Sequence, residues 1–214
     1  MIRIEDITVR AGDFALDQVS FEVATGCYAA LMGRTGCGKS TLLEAIAGLR
    51  SVESGSIQIG SRNVTHEPPA IRGIGYLPQD GALFSTMTVR QHLSFALEVR
   101  RWSKERIEVR VRELARRLEL EPLLDRFPRG LSGGESQRVA LGRAISFEPE
   151  ALLLDEPLSA VDEETREGMY QLLRRVQADT GATVLHVTHN SVEAQELAEK
   201  VFQFREGRII EDVP

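Results

Sequence analysis

The sequence predicts an α/β protein: a mainly parallel sheet, an antiparallel β subdomain near the start, and an inserted helical subdomain. Three observations predict it. Residues 1–80 form short β-like runs with one helical stretch embedded. From about Thr88 to Phe147 the apolar period becomes that of amphipathic helices. Beyond residue 150 bare apolar strands alternate with helical segments, the pattern of βαβ crossovers.

The elements follow in order. Ile2, Ile4, Ile7 and Val9, then Leu16, Val19, Phe21 and Val23, mark two strands about a turn at Gly12 and Asp13. "CYAALM" is a continuous apolar strand that feeds a glycine loop, and Lys39 to Ala47 is a helix. "GSIQIGSRNVT" alternates as a hairpin about Gly60, and "GIGYLP" is another short strand. Residues 89–127 give successive amphipathic helices broken near Trp102 and Pro122. "ALLLDEP" and "TVLHVTH" are buried strands on either side of a helix over residues 163–179. "SVEAQELAEK" is a last helix before two short terminal strands. Strands this apolar are covered on both faces, as in parallel sheets. The expected organisation is a single domain, 1–214. Residues 1–87 and 148–214 make the core and β subdomain, and residues 88–147 the helical subdomain.

Composition narrows the function classes. The 214 residues are 42% hydrophobic and 27% charged, which suits a globular domain that buries its own core. A formal net charge of -6 argues against a surface built to neutralise many phosphates, so no nucleic-acid partner is expected. The basic run from Arg100 to Arg117 is interleaved with Glu98, Glu105, Glu108, Glu113 and Glu119 and reads as a solvated, ion-paired helix face. With only Cys27 and Cys37, charges in "MIRIEDITVR", and no apolar run near the roughly 18 to 20 residues that span a bilayer, a cytosolic chain with reduced thiols is expected.

The chemistry begins at "GRTGCGKST". Gly33, Gly38, Lys39 and Ser40 fit G-x-x-x-x-G-K-[ST], in which backbone N–H groups wrap a polyphosphate, the lysine reaches the outer phosphates and the hydroxyl holds Mg²⁺. The following helix adds its unpaired N–H groups and positive dipole end. Lys39 is expected to be an exposed loop side chain. "ALLLDEP" places Asp155 to hold Mg²⁺ through water, with Glu156 beside it to act on the nucleophile. His189 follows a strand at its carboxyl end, where open α/β sheets bind ligands, whereas His186 lies inside that strand and reads as a core residue. In "LSGGESQRVALGRA", Ser132, Gly133 and Gly134 precede a helix, where they either cap it or contact an anion.

Taken together these motifs resemble the ATP-binding cassette ATPases, the nucleotide-binding subunits of ABC transporters, along nearly the whole chain. "GRTGCGKST" matches Walker A, "YLPQD" carries Gln79 as the Q-loop glutamine, and "LSGGE" is the signature. "ALLLDEP" is Walker B, "SAVD" the D-loop, and "VTHN" supplies the switch histidine. The resemblance implies that Gly33, Arg34, Thr35, Gly36, Cys37, Gly38, Lys39, Ser40 and Thr41 hold ATP. It makes Glu156 the general base, puts His189 on the γ-phosphate, and sets Ser40, Gln79 and Asp155 around Mg²⁺. It also implies a head-to-tail homodimer burying two ATP molecules, in which Ser132, Gly133 and Gly134 act in trans. A membrane permease subunit would dock at the Q-loop and helical subdomain. One departure concerns adenine. Family members stack an aromatic ring on it from about twenty residues ahead of Walker A, where this chain has Arg10 and Ala11. Phe14 is the nearest ring, and it either reaches the base or belongs to the core.

The resemblance implies an ATPase that powers transport, peripheral on the inner face of the cell membrane. Soluble cassettes that clamp DNA or ribosomes are a different class. The DNA-repair relatives insert long coiled coils where only 51 positions separate Gln79 from Gly130 here, and the translation relatives carry two cassettes per chain. A regulatory cassette without turnover conflicts with intact Glu156 and His189, and the ATPase of a two-component exporter remains an alternative. "GYLPQDGALFSTMTVRQHLSFAL" resembles bacterial small-solute and oxyanion importers, which implies a solute-binding protein in the same system. The chain ends soon after its last strand, so no appended regulatory domain is expected.

Overall fold

A computed structural model describes residues 1–12, 14–205 and 207–212; Asp13, half of the expected first turn, lies outside the described residues. In chain order the described elements are β1 (Ile2–Ala11), β2 (Phe14–Val23), β3 (Tyr28–Gly33), α1 (Lys39–Ala47), β4 (Ser54–Ile59), β5 (Arg62–Asn63), β6 (Ile74–Leu77), α2 (Val89–Val99), α3 (Lys104–Arg117), α4 (Gly133–Ile145), β7 (Ala151–Asp155), α5 (Glu163–Thr180), β8 (Thr183–Thr188), α6 (Ser191–Leu197), β9 (Lys200–Arg205) and β10 (Arg208–Asp212).

Two sheets result. The first, in order β2-β1-β4-β5, is antiparallel, with Ile4 opposite Phe21 on one side and Ile57 on the other. The second runs β10-β9-β3-β8-β7-β6; β9, β3, β8, β7 and β6 are parallel, and β10 adds an antiparallel edge. The central strands β3 (YAALMG) and β7 (ALLLD) are almost wholly apolar because each serves two cores. Leu152 and Leu154 of β7 pack with Leu93, Leu114, Leu141 and Leu173 from the helices on one face. Leu153 packs with Leu42 and Ile46 of α1 and with the antiparallel sheet on the other. Burying each such side chain contributes about 1.5–3 kcal/mol, so a polar residue on either face is costly.

Two expectations need correction. The last helix stops at Leu197 rather than running on through Lys200, which opens β9. Glu199 is drawn onto the start of β3, where its N–H donates to Tyr28 O (2.8 Å) and its carboxylate accepts from Tyr28 N–H (3.0 Å). The basic run is not wholly a solvated face either. Arg112 and Arg117 make helical-spacing ion pairs with Glu108 and Glu113, but Arg110 is buried. Its guanidinium donates to Ser146 O (2.9 Å) and Ile145 O (3.2 Å), closing the carbonyl end of α4.

Candidate functional site

The sheet order arranges the site. β6, β7, β8 and β3 are adjacent and parallel, so their carboxyl ends lie in a row. Chain direction then delivers Gln79, the pair Asp155 and Glu156, His189 and the glycine loop to one edge, where open α/β sheets hold ligands.

The glycine loop turns from β3 into α1 through Gly36 (φ 79°) and Gly38 (φ 104°), conformations that L side chains rarely adopt. At Gly38 space is also lacking, since a Cβ would stand 2.5 Å from the Phe14 ring. No side chain caps α1, so its first N–H groups have no side-chain acceptor at the end of the loop. Lys39 departs from expectation. It is 5% exposed, and Nζ folds back to donate to Gly33 O (3.0 Å) and Arg34 O (2.9 Å), so the ammonium is held over the loop by the loop's own carbonyls. Phe14, Gly36, Gly38, Lys39, Ser40, Thr41, Gln79 and Glu156 line one cleft of about 550 Å³. Arg34, Cys37 and His189 line a neighbouring depression of about 840 Å³, and Thr35 borders both. Ala11 also borders the cleft, whereas Arg10 is turned to an exposed ion pair with Glu53 (3.0 Å).

Three predicted residues meet at one atom. Glu156 Oε2 accepts from Gln79 Nε2 at 3.4 Å and lies 3.2 Å from His189 Nδ1. Glu156 itself has φ 45°, a left-handed conformation for a non-glycine residue, held by its N–H to Val187 O (2.9 Å) and by Ser159 N–H to its carbonyl (3.1 Å). Strained backbone of this kind persists where the surroundings over-determine it. Asp155 is 4% exposed, and its Oδ1 has no hydrogen-bond partner. Burial pushes its carboxyl above the usual range, while the nearby Ser40 hydroxyl and the charge of Lys39 oppose the rise. An unpaired buried carboxylate oxygen beside a hydroxyl suits a hard cation. Among the described residues no cluster of three or more His, Cys, Asp or Glu forms a metal cage.

The signature stands apart from this edge. Ser132 caps α4 in a capping box: its Oγ accepts from Glu135 N–H (3.2 Å), and the Glu135 carboxylate accepts from Ser132 N–H (2.7 Å). A Cβ at Gly133 would collide with Ala160 O, so the glycine lets the D-loop backbone pass. Ser132 and Gly134 line a cavity of about 290 Å³ with Asp162 and Thr165, and it shares no residue with the cleft over the glycine loop.

Sequence reasoning passed over one residue, Arg143, and one contact, that of His186. Arg143, in the last turn of α4, donates to Gly81 O (2.8 Å) and Ala82 O (2.6 Å) and so grips the segment after Gln79. His186 is a core residue as expected, but a polar one: its Nδ1 is 3.0 Å from the Tyr28 hydroxyl. The only available signal was a lone histidine inside an apolar strand.

A glycine loop joining the middle of a mainly parallel sheet to an uncapped helix, with acidic residues ending a neighbouring strand, defines the P-loop class of α/β proteins. The model of the ABC transporter family matches residues 16–159, and the chain belongs to that family. It is 49% identical over 199 residues to the sn-glycerol-3-phosphate import ATP-binding protein of Rhizobium meliloti (strain 1021), covering 92% of this chain and 57% of that one. It is 44% identical over 209 residues to the sulfate/thiosulfate import ATP-binding protein of Mycobacterium bovis, covering 97% of this chain and 60% of that one. The chain thus spans less than two thirds of the length of these curated relatives. Among solved structures, the ATP-binding cassette MJ0796, a dimer in a post-hydrolysis state bound to ADP and Pi, superposes with a TM-score of 0.87 at 28% identity, covering 99% of this chain and 98% of that one.

Proposed function

We propose that this chain is the ATP-hydrolysing, nucleotide-binding part of a membrane transporter, a solute importer, working as a homodimer on the cytoplasmic face of the cell membrane. The observation that carries this reading is the meeting of Gln79, Glu156 and His189 at one carboxylate oxygen beside the glycine loop. Both relatives are import ATP-binding proteins, which supports the transport half.

In this reading the N–H groups of the loop and of the first turn of α1 hold the phosphates of ATP, together with Thr35, Ser40 and Thr41. Lys39 Nζ, parked on Gly33 O and Arg34 O, is the donor for the outer phosphates. Ser40, Asp155 and Gln79 would hold Mg²⁺, which when bound neutralises charge on the phosphates. Glu156 takes the proton of the attacking water as the new P–O bond forms at the γ-phosphorus and the bond to the bridging oxygen breaks, leaving ADP and phosphate. His189 and Gln79 bracket that carboxylate and orient the water and the γ-phosphate. Phe14 borders the cleft and presses on Gly38, which supports its use as the adenine platform, while part of the ring packs on the core.

The signature of one chain completes the phosphate site of the other. Its separation from the glycine-loop cleft within one chain supports this arrangement, as does the dimeric cassette that the fold resembles. Residues 88–147 form the helical subdomain, and the segment after Gln79 carries Phe84, 44% exposed, as part of the face offered to a permease. A solute-binding protein belongs to the same system. The test is Glu156→Gln, which keeps the shape of the site but removes the base. This variant is expected to bind ATP, to lose nearly all turnover, and to sediment as a dimer with ATP and as a monomer without it. Adding Ser132→Arg should abolish that dimer. ATP-induced dimers of the double variant, or normal turnover in Glu156→Gln, would overturn the mechanism.

A further inference from the structure

His189 stands at the end of β8, largely in solvent, yet its ring is directed at Glu156. The residues on either side of it are fixed by one buried oxygen. The Thr188 hydroxyl donates to Glu193 Oε2 at 2.7 Å and accepts from the Asn190 N–H at 3.0 Å, so Thr188 Oγ1 spans the histidine along the backbone. Asn190 then caps α6, its Oδ1 accepting from Val192 N–H at 2.9 Å. Glu193, in the first turn of α6, is 6% exposed. Its Oε2 also lies 3.6 Å from Nε2 of the buried His186, whose other ring nitrogen meets the Tyr28 hydroxyl.

A buried carboxylate is expensive unless it is paired. Burial works against the charge of Glu193, and the His186 imidazole and the Thr188 hydroxyl outweigh it, holding the carboxyl below the usual range. Stabilising the start of α6 does not explain this arrangement, because an exposed acid in the first turn serves a helix dipole as well. Reaching Thr188 does require burial, and a hydroxyl bonded to a carboxylate is short and strongly oriented. We propose that Glu193, acting through the Thr188 hydroxyl, is a positioning residue that sets the direction of His189 toward Glu156 and the phosphate site. The inference rests on the role given to His189 above.

Thr188→Val removes the hydroxyl while keeping the shape, and Thr188→Ser keeps the hydroxyl. In the intact chain Thr188→Val is expected to lower kcat about tenfold with ATP affinity within twofold of the parent, as misplacement of a reacting group does, and Thr188→Ser to stay near the parent. In a His189→Ala background Thr188→Val should have no further effect. Where His189→Ala itself lowers turnover, full kcat in Thr188→Val, an equal loss in Thr188→Ser, or a further loss on top of His189→Ala would each overturn the proposal. A second readout does not depend on turnover: the side-chain ¹⁵N shifts of His189, assigned by comparison with His189→Ala. Thr188→Val and Glu193→Gln should move them toward those of a free imidazole, and unchanged shifts would also overturn it. If turnover proves insensitive to His189→Ala while these shifts move, the catalytic role of His189 fails and its positioning by Glu193 stands.

Discussion

Helices α1 and α4 both begin at glycines, and they begin in opposite ways. At α4 the N–H groups of Ser132 and Glu135 are already satisfied by each other's side chains. At α1 the cap is Gly38 in a left-handed conformation with no side chain to offer, whereas each of the other five described α-helices has a side-chain cap. Leaving a helix start uncapped forgoes about 1 kcal/mol, and the vacant donors are what a phosphate can use. A helix start with two of its N–H groups already engaged has less to give, which fits the role proposed above, in which the signature only finishes a phosphate site built by another chain.

Breaking the α1 side should have the largest effect. Lys39→Ala is expected to weaken ATP binding at least tenfold by calorimetry. Because Lys39 is buried on two backbone carbonyls, it should also lower the stability of the nucleotide-free protein by about 1–3 kcal/mol, the cost of leaving such acceptors unpaired. Unchanged affinity would contradict the loop's assignment. Phe14→Ala sharpens the contrast next: a loss of about 1–3 kcal/mol in ATP affinity marks a base stack. Lower stability with full affinity would make the ring purely a packing residue.

Asp155→Asn tests the acid beside α1. Burial raises the Asp155 pKa, so the folded state holds the proton more firmly than the unfolded chain. Its ionisation therefore costs stability as pH rises from the ordinary carboxyl value through the raised one. The asparagine variant should consequently melt higher than the parent at pH 7 without nucleotide, while losing Mg²⁺-dependent turnover. A melting temperature at or below the parent's would refute this sign. The smallest effect belongs to α4. Glu135→Ala removes half of the capping box and should lower stability by about 0.5–1 kcal/mol in denaturant titration, leaving the ATP affinity of the isolated chain unchanged.

Much of this was legible in the sequence because it is local. Strand periods, the break of pattern at Thr88, the glycine loop and the acidic strand end each lie within a dozen residues, and each falls where expected. What was not legible depends on distant partners. Arg110 looks like one more member of a charged run until α4 brings Ser146, 36 positions away, to its guanidinium. The end of α6 is decided by Tyr28, 171 positions from Glu199. Lys39 looks exposed because the carbonyls that bury it exist only once the loop has closed. Strand order, which brings Gln79 to Glu156 across 77 positions, has no trace in periodicity.

Arg143 gives α4 a mechanical character. From Gly133 to Arg143 the helix is a rod about 15 Å long. One end carries the signature and the other clasps the carbonyls of Gly81 and Ala82, just past Gln79. A rod this short does not bend appreciably, so tilting it at the signature end shifts the clasped segment as well. The two loops are therefore geared to each other inside a single chain, before any second protein takes part.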